Sequence, residues 1–145
     1  LGEQLANISP ALNMAIGQRL VRKVCKDCVE SRVATESELA DIKKSLEKIS
    51  KDIKIPAIRS GFKIPEPKGC KKCNNTGYKE RVGIFEAFII DDEIKKFILK
   101  SPSVVELRDL AVKKGMVLMR QDGLIKVLRG ETTIKEVDKV TGKEQ

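Results

Sequence analysis

The residues of this chain best suited to chemistry are four thiols in two matched pairs, Cys25-Lys-Asp-Cys28 and Cys70-Lys-Lys-Cys73. The sequence has four cysteines and no histidine, so its whole soft-ligand capacity lies in these pairs. Two intervening residues let both sulfurs of a pair turn toward one point, and two such knuckles supply the four thiolates of a closed tetrahedral zinc site. Disulfide pairing is the bland alternative. Against it, the chain lacks a secretory apolar segment, and a redox Cys-x-x-Cys motif needs one pair beside a βαβ unit rather than two matched pairs. Arg22, Lys23, Lys26, Lys71 and Lys72 flank the thiols with Asp27 the one opposed charge. Nearby cations ease thiol deprotonation, which favours metal. Cys25, Cys28, Cys70 and Cys73 are therefore the candidate ligands of a structural zinc ion.

Between the pairs lie 41 residues, against roughly 15–20 in the commonest compact pattern. The fold must supply the approach. Residues 81–90, Arg-Val-Gly-Ile-Phe-Glu-Ala-Phe-Ile-Ile, form the best strand in the chain, β-branched and aromatic. Paired antiparallel with a strand over 19–25, they would bring both knuckles to the same end of one hairpin. Residues 26–79 then become an elaborated tip whose base the metal clamps. Asn74, Asn75 and Gly77 offer left-handed turn positions after the second knuckle.

The remaining elements read mainly as helices. Ser9-Pro10 predicts an N-cap and first helical residue, with Leu12, Ala15, Ile16 and Leu20 at helical spacing. Thr35-x-x-Glu38 is a capping box that opens a helix with a seam of Leu39, Ile42, Leu46, Ile49 and Ile53. That seam is expected to pack on the metal module; a partner helix is the other option. Pro56, Gly61, Pro65 and Pro67 make residues 54–69 an irregular or edge-strand return. Asp91-Asp-Glu93 places acid at a helix start, a cap sooner than a metal site. Ser103-x-x-Glu106 and Thr133-x-x-Glu136 are further capping boxes, and another helix spans roughly 117–129.

At 145 residues with 41% hydrophobic content, one ordinary domain or two small ones fit. A net charge of +8 suits acidic partners, nucleic acid or an anionic membrane surface, as well as plain solubility. Aromatic residues make up only 3%, thin for a base-stacking platform. No apolar run of about 18 residues exists to span a membrane. The sequence holds no Gly-x-x-x-x-Gly-Lys-[Ser/Thr] loop and no histidine for a nucleophile pair. Neither catalytic nor nucleotide-binding residues are assigned to it. Its start at Leu1-Gly2, without an initiator Met, predicts a piece of a longer polypeptide.

Three stretches together carry a resemblance: Ala11-Leu-Asn-Met-Ala-Ile-Gly-Gln-Arg-Leu-Val-Arg-Lys-Val-Cys25, Gly69-Cys-Lys-Lys-Cys-Asn-Asn-Thr-Gly-Tyr-Lys-Glu-Arg-Val-Gly-Ile-Phe-Glu86, and Leu118-Met-Arg-Gln-Asp-Gly-Leu-Ile-Lys-Val-Leu-Arg-Gly-Glu-Thr-Thr133. In order and content they resemble the C-terminal third of the type II secretion and type IV pilus assembly ATPases. The resemblance covers nearly the whole chain after Leu5. It implies a cytoplasmic hexameric ATPase, peripheral to the bacterial inner membrane through platform proteins, that drives pilin or pseudopilin assembly. The family's tetracysteine metal module matches Cys25, Cys28, Cys70 and Cys73. ATP and Mg2+ would belong to the full-length parent, whose phosphate-binding segments are expected upstream of residue 1.

The expected fold is α+β and mainly helical: a β-hairpin with the zinc module at its tip, then a C-terminal helical bundle. Residues 1–25 would be a remnant of the ATPase domain, helix plus strand. Residues 26–80 would be the zinc module, and 81–145 a strand followed by the helical subdomain. The expected function is a non-catalytic region of the parent motor, monomeric by itself, whose zinc tip contacts a neighbouring subunit or the membrane platform or serves stability alone. A basic zinc-ribbon module binding nucleic acid through Lys71 and Lys72 is the rival reading, with nucleic acid the less expected partner.

Overall fold

The computed structural model describes residues 9–50 and 52–142. Residues 1–8 of the expected 1–25 ATPase-domain remnant lie outside them. A 3-10 turn at Ser9–Ala11 leads into strand β1 (Met14–Val24). Strand β2 (Val29–Val33), helix α1 (Glu36–Leu46), strand β3 (Lys63–Pro67) and strand β4 (Tyr78–Ile89) follow. Four helices complete the chain: α2 (Asp92–Ile98), α3 (Val104–Lys113), α4 (Met119–Leu128) and α5 (Ile134–Thr141). Among the described residues the class is α+β, with five helices and two small antiparallel sheets.

One sheet pairs β1 with β4, Met14 opposite Ile89, Arg19 opposite Ile84 and Arg22 opposite Arg81, before a register shift at Arg22/Val24. The other pairs β2 with β3, Val29 opposite Pro67 and Val33 opposite Lys63. Pro65 and Pro67 sit where a strand without a second neighbour tolerates a missing N–H. The two ladders are nested. The chain leaves the first at Val24, enters the second at Val29, returns through β3 and re-enters the first at Tyr78.

Two expectations are corrected here. Residues after Pro10 are extended, not helical: the predicted helix shrinks to the single turn Ser9–Ala11. Leu12, Ile16 and Leu20 are four residues apart, a spacing that also satisfies a period of two, so the pattern fits a strand as well as a helix. Pairing with the long, β-branched β4 decides between them. Second, the α1 seam packs only in part on the segment that carries the thiols, through Leu39 on Ile64, and otherwise on α4. Ile42 and Leu46 meet Leu124, Ile125 and Leu128 of α4, while Leu39 joins Ile64, Val127 and Val137. Ile49 and Ile53 continue the seam beyond the last helical turn, half-buried against the same cluster.

Two of the three expected capping boxes form; at Thr133 only half of the box does, because the Glu136 carboxylate turns to Arg22 instead. Thr35 and Ser103 make reciprocal boxes with Glu38 and Glu106, and the side chains of Asp91 and Thr133 accept from the backbone N–H of Ile94 and Glu136. The later helices pack as pairs, α2 on α3 and α4 on α5, and the second pair lies against β4 and β1. Thus α4 is the hub: it touches the strand pair, α5 and the helix inserted between the cysteine pairs.

Candidate metal centre

The first knuckle begins where β1 ends. Cys28 N–H and Val29 N–H both donate to the Cys25 carbonyl, at 3.2 and 2.9 Å, which folds residues 25–29 into a tight turn. The second knuckle is a 3-10 turn at Lys71–Cys73, with Cys73 N–H on the Cys70 carbonyl at 3.2 Å. Asn74 and Asn75, at φ 51° and 57°, and Gly77, at φ 77°, then reverse the chain through left-handed positions. A Cβ on Gly77 would stand 2.6 Å from the Pro67 Cβ, so this glycine also permits a close approach.

Two backbone bonds fix the knuckles to each other. Cys25 N–H donates to the Gly77 carbonyl at 2.9 Å, and Lys68 N–H to the Cys28 carbonyl at 3.4 Å. Each extends one ladder by a step, so the four thiols sit in the joint between the two sheets rather than at the tip of a single hairpin. Lys72 Nζ reaches Asp27 Oδ1 at 2.5 Å and adds a side-chain tie between the turns.

All four Sγ atoms lie within 4.8 Å of one another. Individual separations are 4.0 Å for Cys25 and Cys70, 3.8 Å for Cys28 and Cys73, and 3.7 Å for Cys70 and Cys73. Sulfurs about 2.3 Å from a common tetrahedral ion stand about 3.8 Å apart along each edge, so the cluster has the dimensions of a tetrathiolate metal site. None of the cysteines is in a disulfide. Cys25 and Cys73 are buried, Cys28 and Cys70 half-buried.

Electrostatics separate the thiols. Burial works against ionising Cys73, but the backbone N–H groups of Cys70 and Gly77, each 3.2 Å from its sulfur, bring it down to about 6. Burial pushes Cys28 up to about 12, with the neighbouring sulfurs of Cys73, Cys25 and Cys70 raising it further. Four sulfurs this close cannot all ionise without a cation, and backbone N–H donors already favour charge on one of them. The donor set fits a metal ion.

Two networks around this centre have no local signature in sequence. Glu136 of α5 receives Arg22 of β1 through Nε at 2.8 Å and Nη2 at 2.6 Å, while the Arg22 guanidinium lies over the Tyr78 ring at 4.2 Å. Arg120 of α4 pairs with Asp41 at 2.7 Å and Asp138 at 3.1 Å and also donates to Ser45. Partners 79 and 114 positions apart leave no spacing to read. An open groove of 880 Å³ runs between β3, α1 and α5, and its charged lining includes Arg32, Glu38, Asp41, Arg120 and Asp138. Those groups pair with one another rather than converge on a reacting position.

A family model described as type II/IV secretion system protein matches residues 1–139. The chain belongs to this family. Within it, the type IV pilus assembly ATPase PilB of Thermus thermophilus is 36% identical over 137 residues, 94% of this chain and 14% of the relative. Type II secretion system protein E of Aeromonas hydrophila is 32% identical over 134 residues, 92% of this chain and 24% of the relative. Type II secretion system protein HxcR of Pseudomonas aeruginosa is 44% identical over 73 residues, half of this chain and 16% of the relative. The chain thus spans between 14 and 24% of the length of these type II/IV secretion relatives. Among the described residues of this family member, no helix is long and apolar enough to cross a membrane.

Proposed function

We propose that this chain is the non-catalytic C-terminal region of a hexameric secretion or pilus assembly ATPase, and that Cys25, Cys28, Cys70 and Cys73 hold a structural zinc ion. The observation that carries the zinc reading is the sulfur cluster, with tetrahedral edge lengths, in the joint between two antiparallel ladders. Four protein thiolates would fill the coordination sphere and leave no open position, so the ion would bind and orient rather than activate water. It would lock β1 to β4 and β2 to β3 at their shared end. The inserted helix α1 would then stay seated on α4.

ATP and Mg2+ belong, in this reading, to the parent protein. The parent acts in the cytoplasm at the inner membrane, held there by platform proteins, and this region passes subunit motion around the ring. The contact surface toward a neighbouring subunit or the platform is the basic knuckle region. The nucleic-acid alternative has less support: Lys72, one of its two named contacts, is engaged with Asp27.

The test joins two measurements. The 145-residue chain should carry one zinc and hydrolyse no ATP. In the full-length parent, Cys73→Ser should lose the zinc and impair secretion or piliation. Assembly that survives complete zinc loss would rule out the positional role of the ion.

A further inference from the structure

Each accessible sulfur of the four-thiol cluster faces a buried one across the joint. Cys28 and Cys70 are half-buried, whereas Cys25 and Cys73 are closed off, 0% and 6% exposed. Cys28 Sγ lies 3.8 Å from Cys73 Sγ, and Cys70 Sγ lies 4.0 Å from Cys25 Sγ. Both contacts cross from one knuckle to the other. Each puts a thiol that a small solute can reach beside one that it cannot, the arrangement of an oxidant-reactive cysteine and its resolving partner.

The knuckles hold this arrangement through their own backbone. Cys25 N–H on the Gly77 carbonyl and Lys68 N–H on the Cys28 carbonyl keep them in register. Asn75 N–H closes the second turn on the Cys70 carbonyl at 2.9 Å, and a Cβ on Gly69 would stand 2.8 Å from the Asn75 carbonyl oxygen. Cys73 Sγ is held by the N–H groups of Cys70 and Gly77, each at 3.2 Å. These bonds are made by the chain alone, so the sulfurs stay opposed once an ion has left. Cys70 and Cys73 are also close, 3.7 Å within one knuckle. Drawing that pair into a bond falls on a single turn already locked at Gly69 and Asn75. Across the joint, the same movement is shared between two separate turns.

We propose that the cluster responds to hydroperoxides by giving up its ion and forming two disulfides across the joint, Cys28–Cys73 and Cys25–Cys70. This rests on the proposed reading of the four thiols as zinc ligands. The Cys28 thiolate attacks the outer oxygen of the peroxide, the O–O bond breaks, and hydroxide or an alkoxide leaves. The Cys73 thiolate then attacks the resulting sulfenic sulfur, which forms the S–S bond and expels hydroxide. Cys70 and Cys25 follow the same course with a second peroxide. Each disulfide loses two electrons to one peroxide, and no thiolate remains to hold the ion. The two ladders stay joined, now covalently, and a thiol reductant with added zinc reverses the change.

The experiment treats the native protein, reduced and zinc-loaded, with about two equivalents of hydrogen peroxide per chain. Free zinc is read with a chromogenic chelator and cysteine pairing by the masses of tryptic peptides. Lys26, Lys71 and Lys72 lie between the members of each pair, so trypsin separates them and the possible linkages differ in mass. The expected result is loss of the bound zinc, peptides joined as Cys28–Cys73 and Cys25–Cys70, and return of zinc binding and free thiols on reduction. Bonds within the pairs, Cys25–Cys28 or Cys70–Cys73, would overturn the inference. So would sulfinic or sulfonic acids in place of disulfides, or zinc retained with the four thiols intact. A reduced protein that holds no zinc would remove the zinc reading and this inference together, a failure visible before any oxidant is added.

Discussion

Glu136 grips Arg22 across 114 residues of sequence, with one carboxylate oxygen on Nη2 at 2.6 Å and the other on Nε at 2.8 Å. The acid is nearly buried, its side chain 6% exposed, and it also receives the Arg22 backbone N–H. This joins α5 to β1 three residues before Cys25, so the last helix of the chain helps set where the first thiol stands. Glu136→Gln should cost about 2 kcal/mol, below the full penalty for a buried pair because Arg22 is partly solvated. Urea unfolding of the two proteins checks this, and an unchanged midpoint would show that the bidentate contact contributes nothing.

The α4/α5 crossing is tight enough to forbid a methyl group. A Cβ built on Gly123 falls 2.6 Å from Val137 Cγ1, and Val137 is fully buried. Helix propensity alone favours alanine over glycine by about 1 kcal/mol. Overpacking a closed core costs about 1–3 kcal/mol, so Gly123→Ala should destabilise on balance. A thermal melt shifted upward would contradict this packing.

Glu38 gives a pH signature. Its bidentate partner Arg32 holds the carboxyl down to about 2, with the Thr35 backbone N–H assisting, against an ordinary value of 4.5. The contribution is therefore complete above about pH 5 and fades as the pH falls toward 2, where the folded form also takes up the proton. Glu38→Gln keeps a capping-box side chain without the charge. The stability difference between the two proteins should be constant above pH 5 and shrink toward zero near pH 2. Acid loss of a bound metal acts on both and cancels. A difference that does not change with pH would assign the contact to geometry rather than charge.

Local chemistry was readable, as was the antiparallel pairing of residues 19–25 with 81–90; the other long-range choices were not. The capping residues Thr35, Asp91, Ser103 and Thr133 each act on a donor three residues away, so their positions could be read directly. The cysteine spacing likewise anticipates a cluster, and the β-branched run at 81–90 anticipates the strand that delivers half of it. Residues 10–20 misled because Leu12, Ile16 and Leu20, at helical spacing, are also alternate positions of a strand. What β4 offers across a gap of more than 50 residues settled the conformation. The α1 seam was expected to pack on the metal module, but the partners of Ile42 and Leu46, namely Leu124, Ile125 and Leu128, lie some 80 residues on. Arg120 looks like one more surface cation in sequence, and only the packing of α1 on α4 surrounds it with Asp41, Ser45 and Asp138.

Residues 25, 28, 70 and 73 are proposed to share one ion. X-ray absorption at the zinc edge on the purified, reduced 145-residue chain, with elemental analysis of the same sample, tests it most directly. The expected result is one zinc per chain with four sulfur neighbours at about 2.3 Å and no oxygen or nitrogen in the shell. A folded, reduced chain without metal, or a zinc bound by fewer than four sulfurs, would contradict it.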